Sequence, residues 1–153
     1  MASIPTSIKN KIKELLDELV NNQTLKETHV DDLKMGALDR DYGGYPVAVL
    51  STPTADSAPE TNRDNARIYT YEILVIHKAE EVQDATAIED LLETILNKFD
   101  NDALNVQNSK LRAAGADGGV EPSTSPVEQV TSRGKAFIVF SVILRCKNIY
   151  RGT

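Results

Sequence analysis

Apolar positions along the chain fall into a few strongly periodic runs separated by long polar intervals. Ile4, Ile8, Ile12, Leu15, Leu16 and Leu19 recur at helical spacing. Ser3 is placed to cap that helix, and Pro5 falls in its first turn, where a backbone N–H has no partner to lose. The helix is expected to end near Asn21–Asn22. Ala66 to Lys78 alternates instead: Ile68, Thr70, Glu72, Leu74 and Ile76 form one face, and Tyr69, Tyr71, Ile73, Val75 and His77 the other. Neither face is purely polar, which predicts a central strand with one face partly covered. Ile88, Leu91, Leu92, Ile95, Leu96 and Phe99 stripe a second helix, with Asp84 as its cap. Lys135 to Lys147 is a last strand, in which Ala136, Ile138, Phe140, Val142 and Leu144 make a wholly apolar face for the helices.

Weaker signals fill part of the remainder. Tyr45 to Leu50 reads as a short strand with Pro46 at its start. Leu25 to Tyr42 is the least patterned stretch; Val30, Leu33, Met35 and Leu38 suggest a short irregular strand before the Gly43–Gly44 turn. Two intervals stand out by length. Ser51 to Asn65 holds Pro53 and Pro59 among small polar residues, and Asp100 to Gly134 holds Gly115, Gly118, Gly119, Pro122 and Pro126. Connections in compact domains run about 4–6 residues, so both are read as arms with a binding role, the first as a mobile loop or hairpin extension. Within the second, Leu104 to Val106 has the character of a brief strand. The fold expected is a single α+β domain over residues 1–153. It has a mostly antiparallel sheet of four to five strands, two main helices on one face, and long loop arms.

Composition narrows the function. The net charge is −6, which argues against stable nucleic-acid binding, because neutralising phosphate needs clustered Lys and Arg. Cys146 is the one cysteine, so no intrachain disulfide can form; a reducing compartment suits it. Met1 to Ser7 lacks the pattern of a signal peptide, and no apolar run is long enough for a membrane-spanning helix.

No catalytic set emerges. There is no phosphate-binding G-x-x-x-x-G-K-[ST], and Gly115 to Gly119 reads as a flexible loop. His29, Asp31 and Asp32 lie close in sequence, but only one is a good transition-metal ligand. His77 reads as a satisfied or exposed histidine. Glu80–Glu81 and Glu89–Asp90 are carboxylate pairs at helix entries, read as solvated charge. Catalytic, cofactor and metal sites are all expected to be absent.

Three stretches carry a resemblance. They are Tyr45-Pro-Val-Ala-Val-Leu-Ser-Thr-Pro53 after the N-terminal helix; Thr61 to Val75 leading into the helix of Ile88 and Leu92; and Glu121 to Glu128 followed by Arg133 and the final strand. Together they resemble the tail terminator, or tail-completion, proteins of long-tailed bacteriophages. The resemblance implies a structural virion protein that is not an enzyme and uses no cofactor. It implies a homohexameric ring on the end of the tail tube, which stops tube polymerisation and offers a head–tail joining surface. The implied partners are further copies of the chain, the tail tube protein and the head–tail connector protein, with DNA only passing through the lumen. The implied location is the virion tail, with the host cytoplasm during assembly. An acidic lumen suits passing DNA. A neck connector, a non-viral cytosolic protein-binding adaptor and a small metal-using hydrolase are the rival readings.

The arms supply the candidate contact residues, around Asp56 to Arg67 and Gly115 to Arg133. Arg63, Arg67 and Arg133 are candidates for inter-subunit ion pairs, since arginine is favoured at interfaces, with Asp117 and Glu121 as acidic counterparts. Deleting Gly115 to Gly119 is expected to spare folding. The first helix places Lys9, Lys11 and Lys13 early and Glu14, Asp17 and Glu18 late, against the helix dipole. Either these are exposed charges that tolerate a small cost, or both clusters meet charges on another subunit.

Overall fold

A computed structural model describes residues 3–31, 40, 42–59, 64–82, 84–104 and 109–151, without the side chains at 31, 58, 59, 64, 101–104, 150 and 151. The described elements are α1 (Ile4–Asn21), β1 (Glu27–Asp31), β2 (Val47–Ser51), β3 (Thr54–Pro59), β4 (Asp64–Lys78), a single 3-10 turn (Ala79–Glu81), α2 (Ala85–Leu104), α3 (Lys110–Ala114), β5 (Gly119–Thr124), β6 (Glu128–Ser132) and β7 (Lys135–Arg151). The fold is mixed α/β, and its sheet has seven described strands rather than four to five.

β4 and β7 form the spine. They pair antiparallel without interruption from Asp64↔Arg151 to Lys78↔Phe137. Each outer edge of this ribbon is shared by two shorter strands: β2 and β3 on β4, β5 and β6 on β7. β1 adds to β2 in parallel, and every other pair is antiparallel. Pro53 follows β2 and removes a backbone donor where one edge strand ends and the next begins. On the far edge, Ser125 and Ser141 bridge the equivalent break: the Ser125 N–H donates to the Ser141 carbonyl at 2.9 Å, and the Ser141 N–H donates to Ser125 Oγ at 2.8 Å.

The period-two pattern of β4 and β7 assigns their faces. Tyr69, Tyr71, Ile73 and Val75 join Phe140, Val142, Leu144 and Cys146 in one buried cluster with Ile8, Ile12, Leu16, Ile88, Ile95 and Phe99 from α1 and α2. The apolar face of β7 therefore packs on the helices as its pattern predicts. The opposite face is covered at one end. There Tyr45, Val47, Val49, Ile76, Phe137 and Val139 form a second buried cluster, flanked by Tyr42, Leu74 and Val130. Its rings follow one another: Tyr42 meets Tyr45 edge-on at 5.9 Å, and Tyr45 lies 5.9 Å from Phe137. The Lys78 ammonium sits 5.1 Å over the Tyr45 ring.

The helix caps are as the sequence indicates. Ser3 Oγ accepts from the Thr6 N–H, and Asp84 Oδ1 accepts from the Ala87 N–H. The reversed charges of α1 find partners within the chain. Lys11 reaches Glu14 at 3.1 Å, Lys13 reaches Asp17 at 2.7 Å, and Glu18 lies 3.5 Å from Lys98 and 3.2 Å from Lys110. Lys13 and Asp17 also share the Thr28 hydroxyl, tying α1 to β1. The dipole cost is thus offset locally, and the described partners of the acidic half lie in its own chain.

Tyr71 fixes the start of α1 to the spine. Its ring is fully buried, and its hydroxyl donates to the Pro5 carbonyl at 2.6 Å. Burial, with Cys146 and Tyr69 nearby, pushes the phenol well above its ordinary range, so it stays neutral at any working pH. Tyr71→Phe removes that tie between α1 and the spine. The expected loss is about 1–2 kcal/mol, read by denaturant titration against the parent chain.

Candidate functional site

The helices cover only the middle of the spine. Among the residues of the helix-side cluster, β4 begins at Tyr69 and β7 ends at Cys146, while the strands run on to Asp64 and Arg151. That leaves five paired rows beyond the last residues of this cluster, about 17 Å of sheet at some 3.4 Å per residue, in which Ala66 and Asn148 are still buried. β3 lies alongside, from Thr54↔Thr70 to Pro59↔Asn65. Of the two readings of the first arm, hairpin extension is the one found: β3 extends the spine into three paired strands. Thr54 to Ser57, Asn65 and Arg67 are exposed on it.

The second candidate arm is also structured. Among described residues, 100–104 finish α2, 110–114 form α3, and β5 and β6 account for most of 119–132. Leu104, where a brief strand is expected to begin, lies in α2, and Asn105 and Val106 lie outside the described residues. The sequence misleads here because β3, β5 and β6 gain their stability from backbone pairing to the spine. Their own side chains are mostly exposed and follow no amphipathic pattern.

The α3–β5 connection is bound tightly to the projecting end. Gly115 has φ 134°, and a Cβ there would stand 2.6 Å from Ile4 Cγ2, so only glycine fits. Its carbonyl accepts from Asn148 Nδ2 at 2.7 Å, the Gly118 N–H donates to the Lys147 carbonyl at 2.8 Å, and Ala116 is fully buried. Asp117 Oδ1 accepts from the Ile149 N–H at 3.0 Å. Deleting Gly115 to Gly119 would remove all of these ties, so the deletion is now expected to cost stability.

The sequence-chosen contact residues divide between two ends of the molecule. Arg67 is opposite Asn148 across the spine and opposite Ser57 on β3; Asp117 caps Ile149; Glu121 is opposite Arg145, with 3.6 Å between their charged groups. These three share the projecting end. Arg145, Lys147, Arg112, Asp100 and Glu121 line a cleft of about 380 Å³ beside it. The cleft carries both signs of charge, and the Arg145–Glu121 pair is solvent-exposed, so it adds little to stability. Arg133 stands at the opposite end, roughly 40 Å along β7. It has φ 51°, followed by Gly134 at φ 77°, in the two-residue turn that joins β6 to β7. Positive φ at both positions is what a tight hairpin demands, so a structural duty accounts for that site. Arg63 lies outside the described residues.

Two features escaped the periodicity argument. Glu72 sits on the face away from the helices at mid-sheet, where the Ser141 hydroxyl donates to its Oε1 at 2.8 Å. The register Leu74↔Ser141 makes them diagonal neighbours, which no single-strand pattern reveals. His77 is the other. Its Nδ1 is buried with no hydrogen-bond partner among the described residues, so it is not the satisfied or exposed histidine expected. It borders a small hollow of about 260 Å³ with Thr24, Pro46 and Asp90. The alternation of β4, which sends it toward the helices with Val75, was the available signal. His29, by contrast, is half-exposed, with its ring against Tyr42 and Nε2 3.3 Å from Glu27.

No protein-family model matches the chain, and no curated protein is detectably similar to it in sequence.

Burial holds the His77 imidazole below its ordinary pKa, partly opposed by the Glu81 carboxylate. The unfolded chain thus takes up a proton more readily than the folded one. This contribution to stability is present above about pH 6.5 and is lost as the pH falls below that toward the folded value. Denaturant midpoints measured from pH 7.5 down to 5 should fall, and His77→Leu should flatten the slope. Separately, Asp117→Ala should free the Ile149 amide, seen as faster hydrogen exchange at the end of β7 while the amides of Ile73 and Val142 stay protected.

Proposed function

We propose that this chain is a structural subunit of a phage tail: a ring-forming cap at the end of the tail tube that stops its growth and receives the head connector. The observation that carries the reading is the ordered projection of β3, β4 and β7 beyond the helical body. A rigid exposed sheet end suits a subunit whose task is to meet tube or connector proteins, because little order must be gained on docking. The resemblance in the stretches 45–53, 61–75 and 121–133 points the same way. Two of these segments belong to the projection and its neighbouring β5–β6 edge. A net charge of −6 fits a ring through which DNA passes without adhering.

The ring is homohexameric in this reading. Heterologous contacts that close on themselves require two different surfaces on each subunit, and the sheet has two unlike outer edges, β1 with β3 on one side and β5 with β6 on the other. The purified chain at micromolar concentration, alone and with tail tubes, is expected to give a native mass of six subunits and annular particles in negative stain. A solitary monomer in both conditions, with no density on tube ends, would remove the proposal.

A further inference from the structure

The two outer edges of the sheet are matched in a way that specifies how copies would meet. β6 pairs only with β7, and β1 only with β2, among the described strands. Each leaves one row of backbone donors and acceptors unpaired within the sheet. Natural edges are usually blunted by proline, lysine or a bulge, and Glu128-Gln129-Val130-Thr131-Ser132 has none of these.

Directions agree as well. β6 is antiparallel to β7, β7 to β4, and β4 to β2, while β1 is parallel to β2; β1 and β6 therefore run in opposite senses. Two copies in the same orientation, side by side, would present antiparallel edges to each other.

The side chains at these edges complement each other. Beside β6 the helical face of the sheet opens into a groove of about 490 Å³, floored by Val82, Ala85, Ile88, Val127 and Ile138. Val127 is 45% exposed there, and the acids Asp84, Glu89 and Glu128 rim it. On the opposite edge, Val30 of β1 is 39% exposed and lies on the same helical face, since it aligns with buried Leu50. Row by row the two valines leave the sheet at nearly one level. Val30 aligns through Leu50 with Ile73, and Glu128 aligns through Val139 with Ile76, so Val127 and Val30 differ by about two rows, roughly 7 Å. Lys26, exposed just before β1 on the same face, falls in the row of Ile138, at the level of the groove that Asp84 and Glu89 rim.

We infer that the β1 edge of one copy adds antiparallel to the β6 edge of the next, seating Val30 in the groove beside Val127 and setting Lys26 by Asp84 and Glu89. This rests on the assembly reading above and names the surface that would carry it. Strand addition of this kind takes its affinity from main-chain hydrogen bonds and its specificity from the side chain that enters the pocket.

The test uses Val30→Cys/Val127→Cys with a short bismaleimide, the native Cys146 being fully buried. Within one copy the two positions are four strand spacings apart, about 19 Å, too far for the reagent. The expected result is a ladder of covalent multimers from the double variant and none beyond background from either single variant. A ladder that stops at six supports both the edge contact and the ring. A ladder running past six keeps the edge contact and overturns the ring. A native hexamer without a ladder overturns the edge contact alone, and a monomer with no ladder overturns both. Dimers from a single variant would mean like edges meet, which also overturns it. Should the double variant unfold, Lys26→Glu and Glu89→Lys replace it. Each should lose assembly by itself, and a one-to-one mixture should regain it; no recovery on mixing counts against the contact.

Discussion

The uninterrupted pairing of β4 with β7 is the constraint to which the other elements answer. A fifteen-residue strand matched along its whole length makes a ribbon with two long edges and two faces. Each edge is too long for one ordinary strand, and each is divided between two. One face takes both main helices, because its side chains from Tyr69 to Val75 and from Phe140 to Cys146 are uniformly apolar. The other face is mixed: it holds a smaller cluster around Ile76, Phe137 and Val139 at one end and a polar pair, Glu72 and Ser141, at the centre. Shifting the register by one residue would exchange the two faces and expose the helix-side cluster, so the pairing is strongly specified.

What the sequence made legible follows from where stability arises. α1, α2, β4 and β7 bury their own side chains, and burial imposes a period that can be read: Ile8 and Ile12, Ile88 and Ile95, Ile73 and Val75. β3, β5 and β6 are held by backbone bonds to the spine, which any residue but proline can make. Even Pro122 is accommodated within β5, on the outer row. Composition rich in Gly, Pro and Ser therefore disguised edge strands as loops. The contact residues were legible only as a neighbourhood. Arg67, Asp117 and Glu121 do gather at one end, but by cross-strand register rather than sequence spacing, and Arg133 is placed elsewhere by the hairpin turn it occupies.

Charge tells a similar story of local resolution. Lysines early and acids late on α1 oppose the helix dipole, yet Lys11 with Glu14 and Lys13 with Asp17 lie at the spacings that let side chains meet on a helix surface, and Glu18 finds two lysines from α2 and α3. A charge order that looks anomalous in isolation becomes ordinary once neighbouring elements are in place. His77 is the converse: unremarkable in sequence, it carries a buried nitrogen without a partner, because alternation along β4 directs it under α2.

Ordered edges change the energetics of any assembly this chain enters. A disordered arm that folds on docking must give up backbone freedom at roughly 1–2 kcal/mol per residue, which consumes much of what its new contacts supply. Here β3 and β6 are already extended, paired on one side and fixed in register by the spine, so that ordering cost is met during folding of the single chain. Association then spends its hydrogen bonds and its few apolar contacts on the join itself. The same arrangement exposes a hazard, since a ready edge invites any partner strand. Protection on the two sides is unequal: β1 carries Glu27 and His29 on one face, whereas β6 carries a single charge, Glu128. An edge kept chemically plain on one side and charged on the other favours joining unlike edges over like ones, because two β1 edges would bring carboxylates together. Such an asymmetry favours head-to-tail contacts over like-with-like ones.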